Sequence, residues 1–346
     1  ESLDTFRLYE SAWDIARSLM FLAEASYISG NNIQGKDYID VALQCLMDVD
    51  QPDAPTVVAI DAHCHSILGS IQIRLGDYVQ AEANLQSSLA SHLKNGTHYG
   101  TIHPLMGLGR LAYLQGELIR ARDLYSQALE TATNLYDQRG MALIHNNLGA
   151  VYEDTTNISE SYHHVTTALK LCKGTGDRRL TAVILNNLAY HQLRFNQHPA
   201  EAIRTYQESI GIFTTIGDLR GLAYSYYDIS KAYLQVGLSS EAFNYCIQSL
   251  NTALTLDNVP LILHAMHGLA HLYAGNGQHE RALRLCYLII DHPQVEADTR
   301  KRAIVSQVEL ETMLPPEALH SAHRWAEATS LQEVIDQVQA EKPVPK

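Results

Sequence analysis

The sequence predicts an all-α fold, a right-handed α-solenoid of about seven helical hairpins that is closed by a helical C-terminal cap. The prediction rests on a repeat of about 40 residues, on a turn-forming residue at a fixed place in each repeat, and on apolar residues at helical spacing. A large aliphatic residue followed by a small one marks each repeat, at spacings of 40, 40, 40, 41 and 40 residues. These pairs are Leu68-Gly69, Leu108-Gly109, Leu148-Gly149, Leu188-Ala189, Ile229-Ser230 and Leu269-Ala270.

The second half of each repeat has its own regular pattern. A turn former stands seven residues after the small residue, and the set is Gly76, Gly116, Thr156, Asn196, Gly237 and Gly277. A second small residue usually stands twelve residues after the first, as Ala81 does after Gly69. A bulky residue and then an aliphatic residue follow it, such as Leu85 and Leu89. Small residues let two helices approach closely, and the turn former breaks the chain between them. Each repeat is therefore predicted to be a helical hairpin whose open face the next hairpin covers.

The repeat places the hairpins along the chain. They are expected near residues 11–46, 57–92, 98–132, 138–172, 178–213, 219–254 and 260–291. The first copy is looser, and we expect an insertion around residues 31–36. After Pro293 the period ends, and residues 296–313, 316–326 and 331–341 are predicted to form closing helices. The predicted domains are thus a repeat array over 1–292 and a cap with a tail over 293–346.

Two stretches connect this pattern to a known family. The sequences NNLGAVYEDT from residue 146 and ALKLCKGTGDRR from residue 168 resemble the tetratricopeptide repeat family in its longer, 40-residue form. Tyr152, Tyr233 and Tyr273 match the tyrosine of the first helix in that family. The resemblance spans roughly residues 11–292 and departs at Thr156, where glycine is usual. It implies a superhelical array that binds a protein or a peptide.

The C-terminal region suggests a context for the array. The segment LPPEALHSAHRWAEATSLQEVIDQV from residue 314 resembles the tail that follows such arrays in bacterial STAND-type ATPases and LuxR-like regulators. The N-terminus lacks an initiator methionine, so we expect a fragment of a larger protein. The predicted function is a non-catalytic sensor or interaction region of a bacterial signalling protein. A free-standing peptide receptor and an array attached to an effector enzyme such as a protease remain as alternatives.

Composition excludes several other functions. With 25 Lys and Arg against 38 Asp and Glu, the net charge of −13 argues against nucleic-acid binding. No apolar run is long enough to predict a membrane span. Five scattered cysteines without a pairing pattern suit a reducing cytoplasm. No phosphate-binding glycine motif or hydrolase motif occurs, so neither an enzyme nor a cofactor is predicted.

Two clusters of histidines contain side chains of the types that bind metal ions. His63, Cys64 and His65 are consecutive, so their side chains point about 100° apart on a helix and cannot converge on one ion. His264, His267 and His271 share one helix face, but no cysteine or carboxylate obviously completes a site, and a solvated or ligand-facing stripe is favoured. No metal is predicted.

The family resemblance implies that the first helices line an inner groove. The predicted groove residues are Arg110, Asn146, Asn186, Tyr190, Arg194, Tyr227, Lys231, His267 and His271. Asparagine amides offer a donor and an acceptor to an extended peptide backbone, and the cations offer a partner to a carboxylate. The alternative is that the neighbouring Asn147 and Asn187 only satisfy adjacent helices. A protein or peptide ligand in this groove is the predicted partner.

Overall fold

A computed structural model describes residues 12–49, 54–195 and 198–341, and the chain divides into two compact units, residues 1–171 and 172–346. The described residues form seventeen α-helices and one short 3₁₀ helix, and they contain no strand. The predicted all-α class is therefore confirmed. Within the described ranges, no helix combines the length and the apolar character that crossing a membrane requires.

Unit one is a succession of helix pairs. Its helices are α1 (Ala12–Ser29), α2 (Asn32–Met47), α3 (Pro55–Leu75), α4 (Tyr78–Lys94), α5 (Ile102–Leu114), α6 (Leu118–Asn134), α7 (Gln138–Asp154) and most of α8 (Ile158–Thr175). Helices α1, α3, α5 and α7 each contact the next of these four, and we call them the first-helix layer of unit one. The 3₁₀ helix His98–Thr101 leads into α5, so Pro104 falls in the first turn, where proline is tolerated.

Close contact between the paired helices explains the small residues of the repeat. A Cβ atom on Gly69 would lie 2.6 Å from Cγ of Leu85, and one on Gly109 would lie 2.8 Å from Cε1 of Tyr125. Each of these glycines thus faces the bulky residue sixteen positions later. At Gly69 and Gly109 even a Cβ atom would overlap its partner, because core packing leaves no spare volume.

The first hairpin corrects one expectation, since no insertion follows Gly30. Helix α2 begins at Asn32, and Gly35 stands twelve residues after Ala23, where a Cβ would lie 3.3 Å from the Ala23 carbonyl oxygen. The expected insertion was wrong because polar residues on the exposed side of α2 resemble a loop in sequence. Lys36, for example, forms an ion pair with Asp40 at 2.8 Å.

Unit two contains a second succession of pairs followed by three more helices. They are α9 (Arg178–Arg194), α10 (Pro199–Ile216), α11 (Leu219–Gln235), α12 (Ser239–Thr255), α13 (Val259–Gly275), α14 (His279–Asp291), α15 (Ala297–Met313), α16 (Pro316–Ala328) and α17 (Leu331–Gln339). Helices α9, α11 and α13 contact one another in order, and α15 contacts both α13 and α14. Helix α15 therefore takes the place of one more first helix, and these four form the first-helix layer of unit two.

Helix α13 is enclosed by its neighbours. Every residue from 261 to 270 is buried. The apolar core around this helix continues into α17 through Val334, Ile335 and Val338. The Tyr273 hydroxyl also donates a hydrogen bond to Glu341 at 3.0 Å. The closing helices thus share one core with the last helix pair.

Candidate functional site

In unit one, two arginines hold a tyrosine of the first-helix layer. Arg110 of α5 donates a hydrogen bond to the Tyr27 hydroxyl at 3.1 Å. The guanidinium group of Arg74 in α3 lies 3.7 Å from the centre of the Tyr27 ring and donates to the Tyr27 carbonyl oxygen. The predicted groove residues include Arg110 but not Tyr27, whose place four residues after Ala23 belongs to the loosely matching first copy. Asn146, the other predicted residue of this unit, is half-buried on α7.

Neutral histidines line the same layer. The rings of His63 and His103 meet edge to face with their centres 5.7 Å apart. Burial, followed by the charge of His103, lowers the pKa of His63 to about 4. His63 is therefore neutral at pH 7. Positive charge on the layer accordingly comes from arginines, which are Arg17, Arg74, Arg110 and Arg139.

On α9 of unit two, the predicted residues divide into one buried and two accessible side chains. Asn186 is buried and donates from Nδ2 to the Ser225 hydroxyl of α11 at 2.8 Å. That bond ties two first helices together, a role that the sequence-based alternative assigns to Asn147 and Asn187. Tyr190 is half-buried and Arg194 is exposed, and Arg194 donates to the Tyr190 hydroxyl at 3.0 Å. Tyr190 and Arg194 are thus the accessible pair.

On α11 and α13, the predicted residues form a buried polar chain. The Tyr227 hydroxyl lies 3.0 Å from Nδ1 of His267, whose Nε2 lies 3.2 Å from the Ser306 hydroxyl of α15. Tyr227 and His267 are 1% and 3% exposed. A ligand could touch them only if α15 moved. His271, one turn further along α13, remains exposed.

The same docking buries the first histidine of the stripe. His264 Nδ1 lies 3.4 Å from the Thr299 hydroxyl, and burial lowers the pKa of His264 well below its usual value. Burial also lowers the pKa of His267 to about 3. Both imidazoles are neutral and serve as hydrogen-bonding groups between α13 and α15. The periodicity of the sequence could not show this, because α15 lies outside the repeat.

Charged side chains flank these histidines. Lys231 Nζ lies 4.1 Å from the centre of the Tyr227 ring and 3.8 Å from an Asp228 carboxylate oxygen. Burial disfavours the charge of Lys231, but the Tyr227 hydroxyl and Asp228 outweigh it and raise the pKa of Lys231. Lys231 therefore remains a cation at neutral pH. On α15, Arg302 forms an ion pair with Asp298 at 3.0 Å.

One arrangement recurs in both first-helix layers, namely a cation placed over a tyrosine ring. The four pairs are Arg74 over Tyr27 at 3.7 Å, Arg194 over Tyr190 at 5.9 Å, Arg220 over Tyr224 at 5.6 Å and Lys231 over Tyr227 at 4.1 Å. Such contacts orient a cation without neutralising it. Two of the four cations also have a carboxylate partner, since Arg220 pairs with Glu296 at 3.2 Å and Lys231 with Asp228 at 3.8 Å. Each layer of this acidic chain thus presents positioned positive groups.

The described residues contain no group of three or more His, Cys, Asp or Glu side chains that could hold a metal ion. Around the first histidine cluster, Cys64 is buried, whereas His65 Nδ1 lies 2.7 Å from Oδ1 of Asn84. Cys246 and Cys286 are buried too, and burial raises their pKa values to about 11 and about 12. These two thiols are therefore protonated core groups and not nucleophiles.

Helix pairs that repeat every 40 residues, with a layer of first helices bearing oriented polar groups, define a helical-repeat protein of the interaction type. Residues 62–134 and 140–215 match the family model described as tetratricopeptide repeat. These two segments are therefore tetratricopeptide repeats. Comparison with curated protein sequences gives no match.

Three solved structures illustrate proteins with the same fold. The Rap conjugation gene regulator of plasmid pLS20, in complex with the Phr* peptide, has 16% identity and a TM-score of 0.62 over 87% of this chain and 75% of its own. A Rap protein complexed with competence and sporulation factor has 13% identity and a TM-score of 0.60 over 94% and 88%. Aspartyl phosphate phosphatase F from Bacillus subtilis has 13% identity and a TM-score of 0.54 over 80% and 74%. At these identities the likeness shows a shared fold.

Proposed function

We propose that this chain is a non-catalytic module that binds a peptide, or an extended segment of a protein, on its first-helix layers. The observation that carries the proposal is the recurrence of cations over tyrosine rings on those helices. A chain with a net charge of −13 has few cations to spare, yet several are oriented on one set of helices. Oriented cations are suited to the carboxylates of a ligand.

The predicted groove residues have distinct parts in this proposal. Arg110, Arg194 and Lys231 would take acidic side chains or a C-terminal carboxylate, and Tyr190 would supply an aromatic face. Asn146 would bond the peptide backbone. Asn186, which links α9 to α11, would act through the shape of the layer.

The structural relatives support a peptide as the ligand. Two of them were solved with a peptide or with competence and sporulation factor bound. The resemblance of residues 314–338 to regulator tails supports a role as the sensor region of a larger bacterial signalling protein. The same module could serve a free-standing peptide receptor or an effector enzyme such as a protease. The flanking gene sequence distinguishes them, since a nucleotide-binding motif, a helix-turn-helix or a catalytic domain would each indicate one.

Selection of random linear peptides displayed on phage tests the proposal directly. We expect selected peptides to contain acidic residues and to bind more weakly as salt increases. Arg194→Gln should weaken their binding about tenfold, which corresponds to one charge-assisted hydrogen bond. Arg122→Gln is the matched control, because Arg122 is an exposed arginine on the second helix α6 and pairs with the adjacent Asp123.

The contrary result is equally clear. If selected peptides bind Arg110→Gln, Arg194→Gln and Lys231→Gln chains as tightly as the unaltered chain, the first-helix layers are not the binding surface. Peptides that lose binding with Arg122→Gln instead would place the site on the second helices.

A further inference from the structure

Helix α15 has two unlike faces. Thr299, Ala303 and Leu310 are buried on the side that meets α13 and α14. On the opposite side, Ile304, Val305 and Val308 are 42%, 54% and 57% exposed. Residues 301, 305, 308 and 312 follow one another at helical spacing and form a single line along this exposed side. We call this line, with Ile304 beside it, the α15 stripe.

Exposed apolar residues are grouped on α15, as they are on α1 with Phe21, Leu22 and Ile28, and this grouping sets them apart from exposed apolar residues that stand singly. Val79 and Ile119, for example, are 78% and 70% exposed but stand singly on second helices. Isolated residues of this kind are normal on a protein surface, whereas adjacent ones indicate a contact site. A first helix in a solenoid has a neighbour on each flank, but after Pro315 the chain continues into α16, which packs against α14. The stripe is therefore the flank on which another helix would fit.

The charges along α15 indicate which helix that is. Its N-terminal half carries the cations Arg300, Lys301 and Arg302 and one carboxylate, Asp298, which pairs with Arg302 at 3.0 Å. Glu309 and Glu311 lie in its C-terminal half. A second α15 in antiparallel orientation would set the basic half of each copy against the acidic half of the other. A parallel copy would place like charges together. We infer that two copies of this chain associate through an antiparallel pair of α15 helices.

The register of this pair follows from the stripe. Val305 of one copy would pack on Val308 of the other, and Lys301 would lie opposite Thr312. Arg302 and Glu309 lie along the same edge of the stripe. Arg302 of one copy would therefore meet Glu309 of the other copy, and the twofold axis would repeat this contact. Arg300 takes little part, because it donates to the carbonyl oxygens of Ile290 and His292. Glu311 likewise accepts a hydrogen bond from Tyr287.

Sedimentation velocity of the chain at increasing concentration tests the association. One helix pair buries less than the about 800 Å² per partner of a standard interface, so we expect a dimer that forms in the micromolar range. Val305→Glu with Val308→Glu should leave a monomer at every concentration measured. Val79→Glu, which adds the same charge at an isolated exposed valine, should dimerise like the unaltered chain. Circular dichroism of each variant verifies that the helices are intact.

Two further measurements test the orientation. Glu309→Arg should weaken the dimer about tenfold, and adding Arg302→Glu should restore it. In a Cys45→Ser background, a mixture of Lys301→Cys and Thr312→Cys chains should form mixed disulfides. Each variant alone should not, since its cysteines would be about 16 Å apart along an antiparallel pair.

Several outcomes would overturn the inference. A chain that stays monomeric up to about 100 μM would overturn it, because a dimer with a micromolar dissociation constant should have formed at that concentration. Dimerisation that survives Val305→Glu with Val308→Glu would place the interface elsewhere. Self-crosslinking of the Lys301→Cys chain would show a parallel pair.

Discussion

Gly149 of α7 faces Val165 of α8 so closely that a Cβ atom on residue 149 would lie 2.7 Å from Cγ2 of Val165. Gly149→Leu should therefore lower the free energy of unfolding by about 1–3 kcal/mol through overpacking. Gly211 in α10 is the control, since a Cβ there meets no atom within 4 Å. Gly211→Ala should stabilise by about 0.5–1 kcal/mol. Urea unfolding measures both, and an unchanged midpoint for Gly149→Leu would mean that the repeat register is wrong.

Thr156 and Gly116 occupy the same repeat position, and both adopt the left-handed backbone conformation, with φ of 60° and 81°. This conformation costs a residue with a side chain about 1–2 kcal/mol, more than it costs glycine. Thr156→Gly should stabilise the folded chain because it relieves this strain. The gain should be at most about 1 kcal/mol, because glycine also has more freedom in the unfolded chain and this offsets part of it. Gly116→Thr should destabilise by a similar amount, although a Cβ there meets no atom. Thermal unfolding should show shifts of opposite sign, and shifts of the same sign would contradict this account.

His145 and His164 join the paired helices α7 and α8 with their Nδ1 atoms 2.8 Å apart. Burial, followed by neighbouring histidines, lowers the pKa of each to about 4. Between pH about 6.5 and about 4, the unfolded chain thus binds more protons than the folded one, so the free energy of unfolding decreases as pH falls. Each histidine contributes up to about 1.4 kcal/mol per pH unit.

His164→Asn should reduce this pH dependence, and it copies the His65–Asn84 pair at the same repeat position, where Nδ1 and Oδ1 lie 2.7 Å apart. His98→Asn removes one exposed imidazole and serves as the control. Unfolding midpoints measured across this pH range provide the comparison. Equal slopes for His164→Asn and the unaltered chain would show that the pair does not control acid stability.

The chain from Tyr227 through His267 to Ser306 should hold α15 in place. Tyr227→Phe leaves a buried imidazole nitrogen without its hydroxyl partner, which should cost about 1–3 kcal/mol. Ser306→Ala removes the contact on the α15 side and should raise amide exchange in α15 while leaving α9 unchanged. Ser240→Ala is a suitable control for hydroxyl removal, because Ser240 is half-buried in α12. Uniform exchange changes in α9 and α15 would indicate general destabilisation instead.

A contact can be predicted from the sequence when the residues that make it lie within one repeat. The contact of Gly149 with Val165 lies within one helix pair, so spacing alone predicts it. The bond from Arg110 to Tyr27 joins residues 83 positions apart, and no period relates them. The burial of His267 depends on how α15 docks, and the α15 sequence, apolar on two sides, does not indicate which side packs inward. Helices and register were thus predictable, whereas the accessibility of candidate residues was not.

The enclosure of α13 has a consequence for how unit two can be shortened. Linear repeat proteins lose terminal elements one at a time, because each element depends only on its neighbours. Here residues 261–270 are covered by helices that lie later in the sequence as well as earlier ones. Truncation before Ala297 should therefore not shorten unit two gradually. It should uncover the side of α13 that carries His264 and His267, together with the apolar core around that helix, and we expect such a chain to aggregate. The last helices behave as an integral part of a globular core, and cloning boundaries should keep them.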